Sequence, residues 1–278
     1  MQRYLYAVVF LLVTAKCVAQ NPLTQAAKQP FVIGVVDSVL SAYLKETRVL
    51  NIYLPDGYSQ DSATLYPVIY LLDGSADEDF IHIAGLVQFC NFPWVDILPK
   101  SIVVGIANVD RRRDFTFPTS VVQDKKDYPS SGASGNFISF IEKELQPYME
   151  RQYKVNKDRM LIGQSLGGLL ATEILFTKPA LFRQYVIISP SLWWNNESLL
   201  KVKLPTVSST VKDVYLGVGN EGKIMVGDTK TLFTKLQRQP GIKSSFRYFA
   251  DEDHATIFHE AVYRAFQQFA GKVKQAKK

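Results

Sequence analysis

At 278 residues with 47% hydrophobic and 21% charged content, the chain holds enough apolar material for a large buried core and too little bias for a disordered or fibrous protein. Its formal charge of +6 sits mainly at the two ends, in Arg3 and Lys16 and in Lys272, Lys274, Lys277 and Lys278, so a nucleic-acid-binding face is not expected. With only Cys17 and Cys90, a zinc site built from cysteines is excluded.

The first residues differ in kind from the rest. Arg3 gives a positive start, Tyr4 to Ala15 is an apolar run short for a bilayer span, and Cys17-Val18-Ala19 places small residues where a signal peptidase cuts. Residues 1–19 therefore read as a secretory signal, leaving 20–278 as one domain with a basic C-terminal tail. Removing Arg3 and Lys16 lowers the formal charge from +6 by two, and only Cys90 survives, so no intramolecular disulfide is expected. The expected location is periplasmic or extracellular, with no membrane attachment after cleavage.

Phe31 to Leu44 and Arg48 to Leu54 are rich in valine, leucine and tyrosine and predict an antiparallel pair of strands. Tyr66 to Leu72 is a nearly unbroken apolar run closed by Asp73-Gly74, as a strand buried on both faces would be. Helices then alternate with strands. The spacing predicts a helix over Asp77 to Phe89, a strand at Ser101 to Ile106, a helix over Asn136 to Arg151 and a strand at Arg159 to Ile162. A helix over Gly168 to Thr177 and strands at Tyr185 to Ile188 and Asp213 to Val218 follow. The series ends in a helix near Thr229 to Arg238, a strand at Ser244 to Phe249 and a helix over Phe258 to Phe269. Such alternation predicts an α/β fold with a mostly parallel sheet and helices on both faces. The stretch Asn108 to Ser134 reads as a long irregular loop leaving a strand's C-terminal end, where open α/β sheets bind ligands.

Ser165 stands in Met160-Leu-Ile-Gly-Gln-Ser-Leu-Gly-Gly-Leu-Leu170, between an apolar strand and a helix. A serine on so sharp a turn has its hydroxyl pushed out above the sheet, and residues two before and two after must be tiny for the turn to close, as Gly163 and Gly167 are. Ser165 is therefore the candidate nucleophile, with the amides at the following helix start favouring developing negative charge. A serine needs a base, and among His82, His254 and His259 only His254 lies after the last strand and before the last helix, in the order serine, acid, histidine. His259 is the runner-up. Glu221, in the turn after Val214 to Gly219, is the candidate acid and Asp228 its alternative. The oxyanion donors are expected to be the backbone amides of Leu166 and Ser75. Arg111, Arg112 and Arg113 lie just beyond a strand end, and at least one guanidinium there, Arg112 or Arg113 foremost, is a candidate anchor for an anionic substrate group. Trp193 and Trp194 either stack on an aromatic acyl group or pack in the core.

The segments Tyr70-Leu-Leu-Asp-Gly74, Gly163-Gln-Ser-Leu-Gly-Gly168, Ser189-Pro-Ser-Leu-Trp-Trp194 and Gly217-Val-Gly-Asn-Glu221 together resemble the Putative esterase family of α/β-hydrolases, and within it the enterobactin and bacillibactin esterase branch. The Arg112 to Pro118 run is also similar to a loop of that branch. The resemblance implies the α/β-hydrolase fold and a serine esterase that works through an acyl-enzyme on a small-molecule ester, a ferric siderophore ester among the possibilities, without metal or organic cofactor. The wider family contains feruloyl and acetylxylan esterases and mycolyltransferases, so a carbohydrate esterase or an acyltransferase is the alternative. Some siderophore esterases of the group are thought to need no acid, which leaves the role of Glu221 open.

Overall fold

The computed structural model describes residues 27–204 and 213–272. The expected signal segment 1–19, and the tail beyond Lys272, lie outside the described residues. Contacts divide the chain into residues 1–32, of which 27–32 are described and carry no helix or strand, and residues 33–278, which hold the whole sheet.

Eight strands form that sheet in the order β1-β2-β4-β3-β5-β6-β7-β8. They are β1 (Gly34–Ser41), β2 (Glu46–Tyr53), β3 (Tyr66–Leu71), β4 (Ile102–Ile106), β5 (Val155–Gln164), β6 (Gln184–Ile188), β7 (Asp213–Gly219) and β8 (Lys243–Phe249). β2 runs antiparallel to β1 and β4, and every later pairing is parallel. The first strand is shorter than the run Phe31 to Leu44. Its register starts at Gly34 opposite Tyr53, and Pro55 just beyond has no amide with which to extend β2.

The apolar strands alternate their side chains between two cores, as the two-residue period of a strand demands. Val68 and Tyr70 of β3 join Val104, Leu161, Ile187 and Leu216 on one face, while Ile69 and Leu71 join Val103, Ile162, Val186 and Tyr215 on the other. α1 (Phe80–Cys90) and α9 (Ile257–Phe269) cover the second face. The first is covered by α4 (Ser134–Phe140), a π-helical turn (Ile141–Leu145), α5 (Gln146–Gln152), α6 (Leu166–Thr177) and α8 (Gly222–Gln237). The α4 to α5 run is nearly the single helix expected over Asn136 to Arg151, with the wide turn inside it. α8 begins seven residues before Thr229, at the left-handed Gly222, in a segment whose glycines and short apolar steps hide the helical period.

The stretch Asn108 to Ser134 is more ordered than its sequence suggests. It contains α2 (Arg111–Phe115) and α3 (Val122–Asp127), and the Asp110 side chain caps α2 by accepting from the Arg113 amide at 3.0 Å. α7 (Trp194–Lys201), not foreseen either, begins with left-handed Asn195, Asn196 and Glu197. Asn195 ties it to the long segment: its Oδ1 accepts from the Ser120 amide at 2.9 Å, and its amide donates to Asp124 at 3.0 Å.

A buried charge network fixes α2 to the sheet. Arg48 of β2, fully buried, pairs with the buried Asp114 and with Glu46, and Arg113 donates to Asp114 at 2.8 Å and to Glu46 at 2.6 Å. Removing one member leaves an uncompensated charge in the interior. Arg48→Met is therefore expected to cost about 3–5 kcal/mol of unfolding free energy in urea titrations, and a loss under 1 kcal/mol would contradict the assignment.

On α6 the buried Glu173 accepts from Ser134 Oγ at 3.0 Å, its other oxygen has no partner among the described residues, and burial pushes its pKa up to about 7. A carboxyl raised in the folded state favours folding below its unfolded value near 4.5, and that contribution disappears as pH rises through about 7. Glu173→Gln should accordingly raise stability at pH 8 relative to pH 5, measured by paired urea melts, whereas equal changes at both pH values would place the ionisation elsewhere.

Candidate active site

β5 ends at Gln164 and α6 starts at Leu166, which leaves one residue, Ser165, to reverse the chain. It does so at φ 58° and ψ −120°, a conformation L-residues avoid and hold only where the surroundings enforce it. The glycines explain the enforcement. A Cβ on Gly163 would lie 2.5 Å from the Gly167 carbonyl oxygen, and one on Gly168 2.9 Å from Pro190 Cα. The Ser165 amide donates to Ile188 O at 3.0 Å, and its carbonyl accepts from the amides of Leu169 and Ser191, each at 3.0 Å.

The turn after β8 brings the histidine to this point. Asp253 Oδ1 accepts from the amides of Ala255 and Thr256 at 2.8 and 3.1 Å, fixing the turn into α9, and Gln164 Nε2 donates to His254 O at 2.5 Å. Across the cleft, Glu221 follows β7 and lies 2.5 Å from His254 Nδ1 through Oε2. Its Oε1 accepts from the Gly219 amide at 3.0 Å and from the Ser189 hydroxyl. Burial pushes the Glu221 carboxyl up, but hydrogen bonds from His254, Ser189 and Gly219 outweigh it and hold the pKa below the ordinary glutamate value. The acid is thus ionised, and the ring nitrogen Nε2 stays free of it.

Ser165 and His254 line two adjoining cavities. One, of about 540 Å³, is walled by Ser191, Trp193, Asn220, Glu221, Met225 and Asp253. The other, of about 420 Å³, is walled by Asp73, Glu78, Asp79, Arg111 and Gln164. The structure separates the two tryptophans: Trp193 lines the first cavity, whereas Trp194 is fully buried and donates its indole N–H to Phe117 O at 2.9 Å. Trp194 is a core residue and not a substrate-facing one.

The arginines are redistributed in the same way. Arg113 cannot serve as a free anchor, because its guanidinium is consumed by Asp114 and Glu46, which also raise its pKa. Arg112 is exposed and stacks on Tyr128, its Cζ 5.0 Å from the ring centre, and Tyr128 in turn lies 6.1 Å from Trp193. Arg111, the first of the three, is the arginine that lines a cavity with Ser165. It holds Asp73 bidentately at 2.5 and 3.0 Å and donates to Gln164 O at 3.2 Å.

Of the proposed oxyanion donors, Leu166 is the first residue of α6, where an amide has no acceptor inside its own helix. Ser75 follows the left-handed Asp73, and its loop is held by buried Asn51, which donates to Gly74 O at 2.8 Å. Neither amide has a protein acceptor among the described residues. Ser75 itself lines neither cavity. The alternatives fall away from the cleft: Asp228 is buried on α8 with no bond to a histidine, and His259 lies on α9 with its ring 5.5 Å from that of His82.

Comparisons with known proteins give the family and the fold. A family model described as Putative esterase matches residues 41–273. The ferri-bacillibactin esterase BesA of Bacillus subtilis (strain 168) is 31% identical over 246 residues, 80% of this chain and 85% of that one. Among solved structures, an IroE-like serine hydrolase from Shewanella oneidensis superposes with a TM-score of 0.76 at 31% identity, covering 86% of this chain and 80% of that one. The BES protein of Bacillus cereus gives 0.75 at 29% identity, with 88% and 98% covered. The mostly parallel sheet with helices on both faces is therefore the α/β-hydrolase fold, and the chain belongs to the Putative esterase family.

Proposed function

We propose that the chain is an exported serine esterase that opens siderophore-type esters through an acyl-enzyme. The observation that carries this reading is the strained Ser165 facing a cavity shared with His254, whose Nδ1 is already engaged by an ionised Glu221. In the reaction, Ser165 Oγ adds to the ester carbonyl while its proton passes to His254 Nε2. The C=O pair moves onto oxygen, near the Leu166 and Ser75 amides. Collapse breaks the ester C–O bond, and the His254 proton goes to the leaving alkoxide. Water, deprotonated by the same histidine, then repeats the addition and frees the acid. Glu221 orients the ring and balances the imidazolium charge without taking the proton.

The substrate class rests on the side chains that lead away from Trp193 of the cavity wall and on the relatives. Trp193, Tyr128 and Arg112 form an aromatic row ending in a cation, which suits a planar anionic ring such as a catecholate. BesA is named for ferri-bacillibactin, and the 31% identity over most of both chains supports extending that class to this one. Export rests on the composition of residues 1–19.

Ser165→Ala and His254→Ala should each reduce hydrolysis of 4-nitrophenyl acetate to less than about a hundredth, with the double variant little worse, because the two act as one unit. Additive losses would point to another base. Glu221→Gln should cost between several-fold and about a thousand-fold. For the substrate, Arg112→Gln should raise KM for a catecholate trilactone at least about fivefold and leave 4-nitrophenyl acetate unchanged. Arg113→Gln should lower thermal stability, with little effect on KM once folded. Equal effects of Arg112→Gln on both esters would remove the siderophore preference.

A further inference from the structure

The segment Ser189-Pro190-Ser191 follows β6, the strand between the one bearing the candidate nucleophile and the one leading to the candidate acid. It touches both. Its second serine donates an amide to Ser165 O at 3.0 Å and sets its hydroxyl 3.4 Å from Ser165 Oγ. Pro190 packs against Gly168 at the start of α6. On the other side the Ser189 amide donates to Gly217 O at 2.8 Å, and the Ser189 hydroxyl donates to Glu221 Oε1.

Ser189 is also strained. Its φ is 42°, a left-handed value that a non-glycine residue rarely adopts, although the site is fully buried. Glycine would relieve that strain, so backbone conformation alone gives no reason for a serine here. The hydroxyl does. The Glu221 side chain is 4% exposed, and a buried carboxylate needs donors on both oxygens to stay charged and aimed. His254 takes Oε2, which leaves Oε1 to the Gly219 amide and Ser189.

We propose that Ser189 is a positioning residue for the esterase reaction: its buried hydroxyl clamps the Glu221 carboxylate in the orientation that directs it at His254 Nδ1. The inference rests on the esterase reading of the site. With the clamp gone, the carboxylate can rotate about its last side-chain bond, held on Oε1 by one amide instead of two donors. Substrate binding should be untouched, because Ser189 lines neither cavity.

The test compares Ser189→Ala with Ser189→Gly. Glycine removes the hydroxyl but relaxes the backbone, so a residue kept only for folding predicts full activity in Ser189→Gly. The clamp predicts that both variants lose about 10- to 100-fold in kcat on 4-nitrophenyl acetate with KM within about twofold, and that neither adds to the loss in a Glu221→Gln background. A second measurement does not depend on turnover. The hydrogen-bonded Nδ1 proton of His254, identified in proton NMR by its absence in His254→Ala, should move upfield or exchange faster in both Ser189 variants. Ser189→Gly with more than half the wild-type kcat, additive losses with Glu221→Gln, or an unmoved Nδ1 resonance would overturn the proposal. Loss of the esterase reading itself would show differently, as Ser165→Ala retaining activity or as inactive wild-type protein in which the NMR shift still responds to Ser189.

Discussion

The reversal of the chain at Ser165 is the constraint on which the site depends. One residue turns a strand into a helix, and the turn closes because Gly163 lets the chain pass where a Cβ would lie 2.5 Å from the Gly167 carbonyl oxygen, whereas a Cβ on Gly167 would meet only side-chain atoms, at 3.3 Å or more. The strain at φ 58° is offset by hydrogen bonds at both ends of the residue, from its amide to Ile188 and into its carbonyl from Leu169 and Ser191. The outcome is a hydroxyl projected from the C-terminal edge of the sheet into a cleft shared with His254, beside a helix start whose amides favour negative charge.

Around that turn the electrostatics are arranged in layers. Glu221 stays ionised despite burial because three donors converge on it, and one of them is the His254 ring. The wall carrying Arg111 is fixed from beneath: Arg48, Asp114, Glu46 and Arg113 lock α2 onto β2. A run of three arginines thus divides its labour. Arg113 holds the segment down, Arg111 braces Asp73 beside Ser165, and Arg112 is left exposed, stacked on Tyr128.

The alternation of strands and helices was legible because each central strand is buried on both faces and so reads as an unbroken apolar run, as in Tyr66 to Leu71. The positions of Ser165, His254 and Glu221 were legible because chain order and turn composition restrict where such groups can stand. The partners of the arginines were not. Ion pairing between Arg48 and Asp114 spans 66 residues, and no local pattern announces it. For the same reason neighbouring Trp193 and Trp194 part company: one faces the cavity, and the other finds the Phe117 carbonyl from a loop far upstream. Ser189 was visible within a distinctive motif, but its contact with Glu221 exists only once β6 and β7 lie side by side. Short α2 and α3 escaped notice because five or six residues are too few to show a helical period.

The central claim is that Ser165 is activated by His254 to form a covalent bond with carbonyl carbon. Its most direct measurement is peptide mass mapping after brief exposure to a phosphonofluoridate, which reacts with activated serine hydroxyls. The account predicts a single stoichiometric adduct on the peptide carrying Ser165, formed at least about a hundredfold more slowly in His254→Ala. An adduct on another residue, or labelling of Ser165 at the same rate without His254, would contradict it.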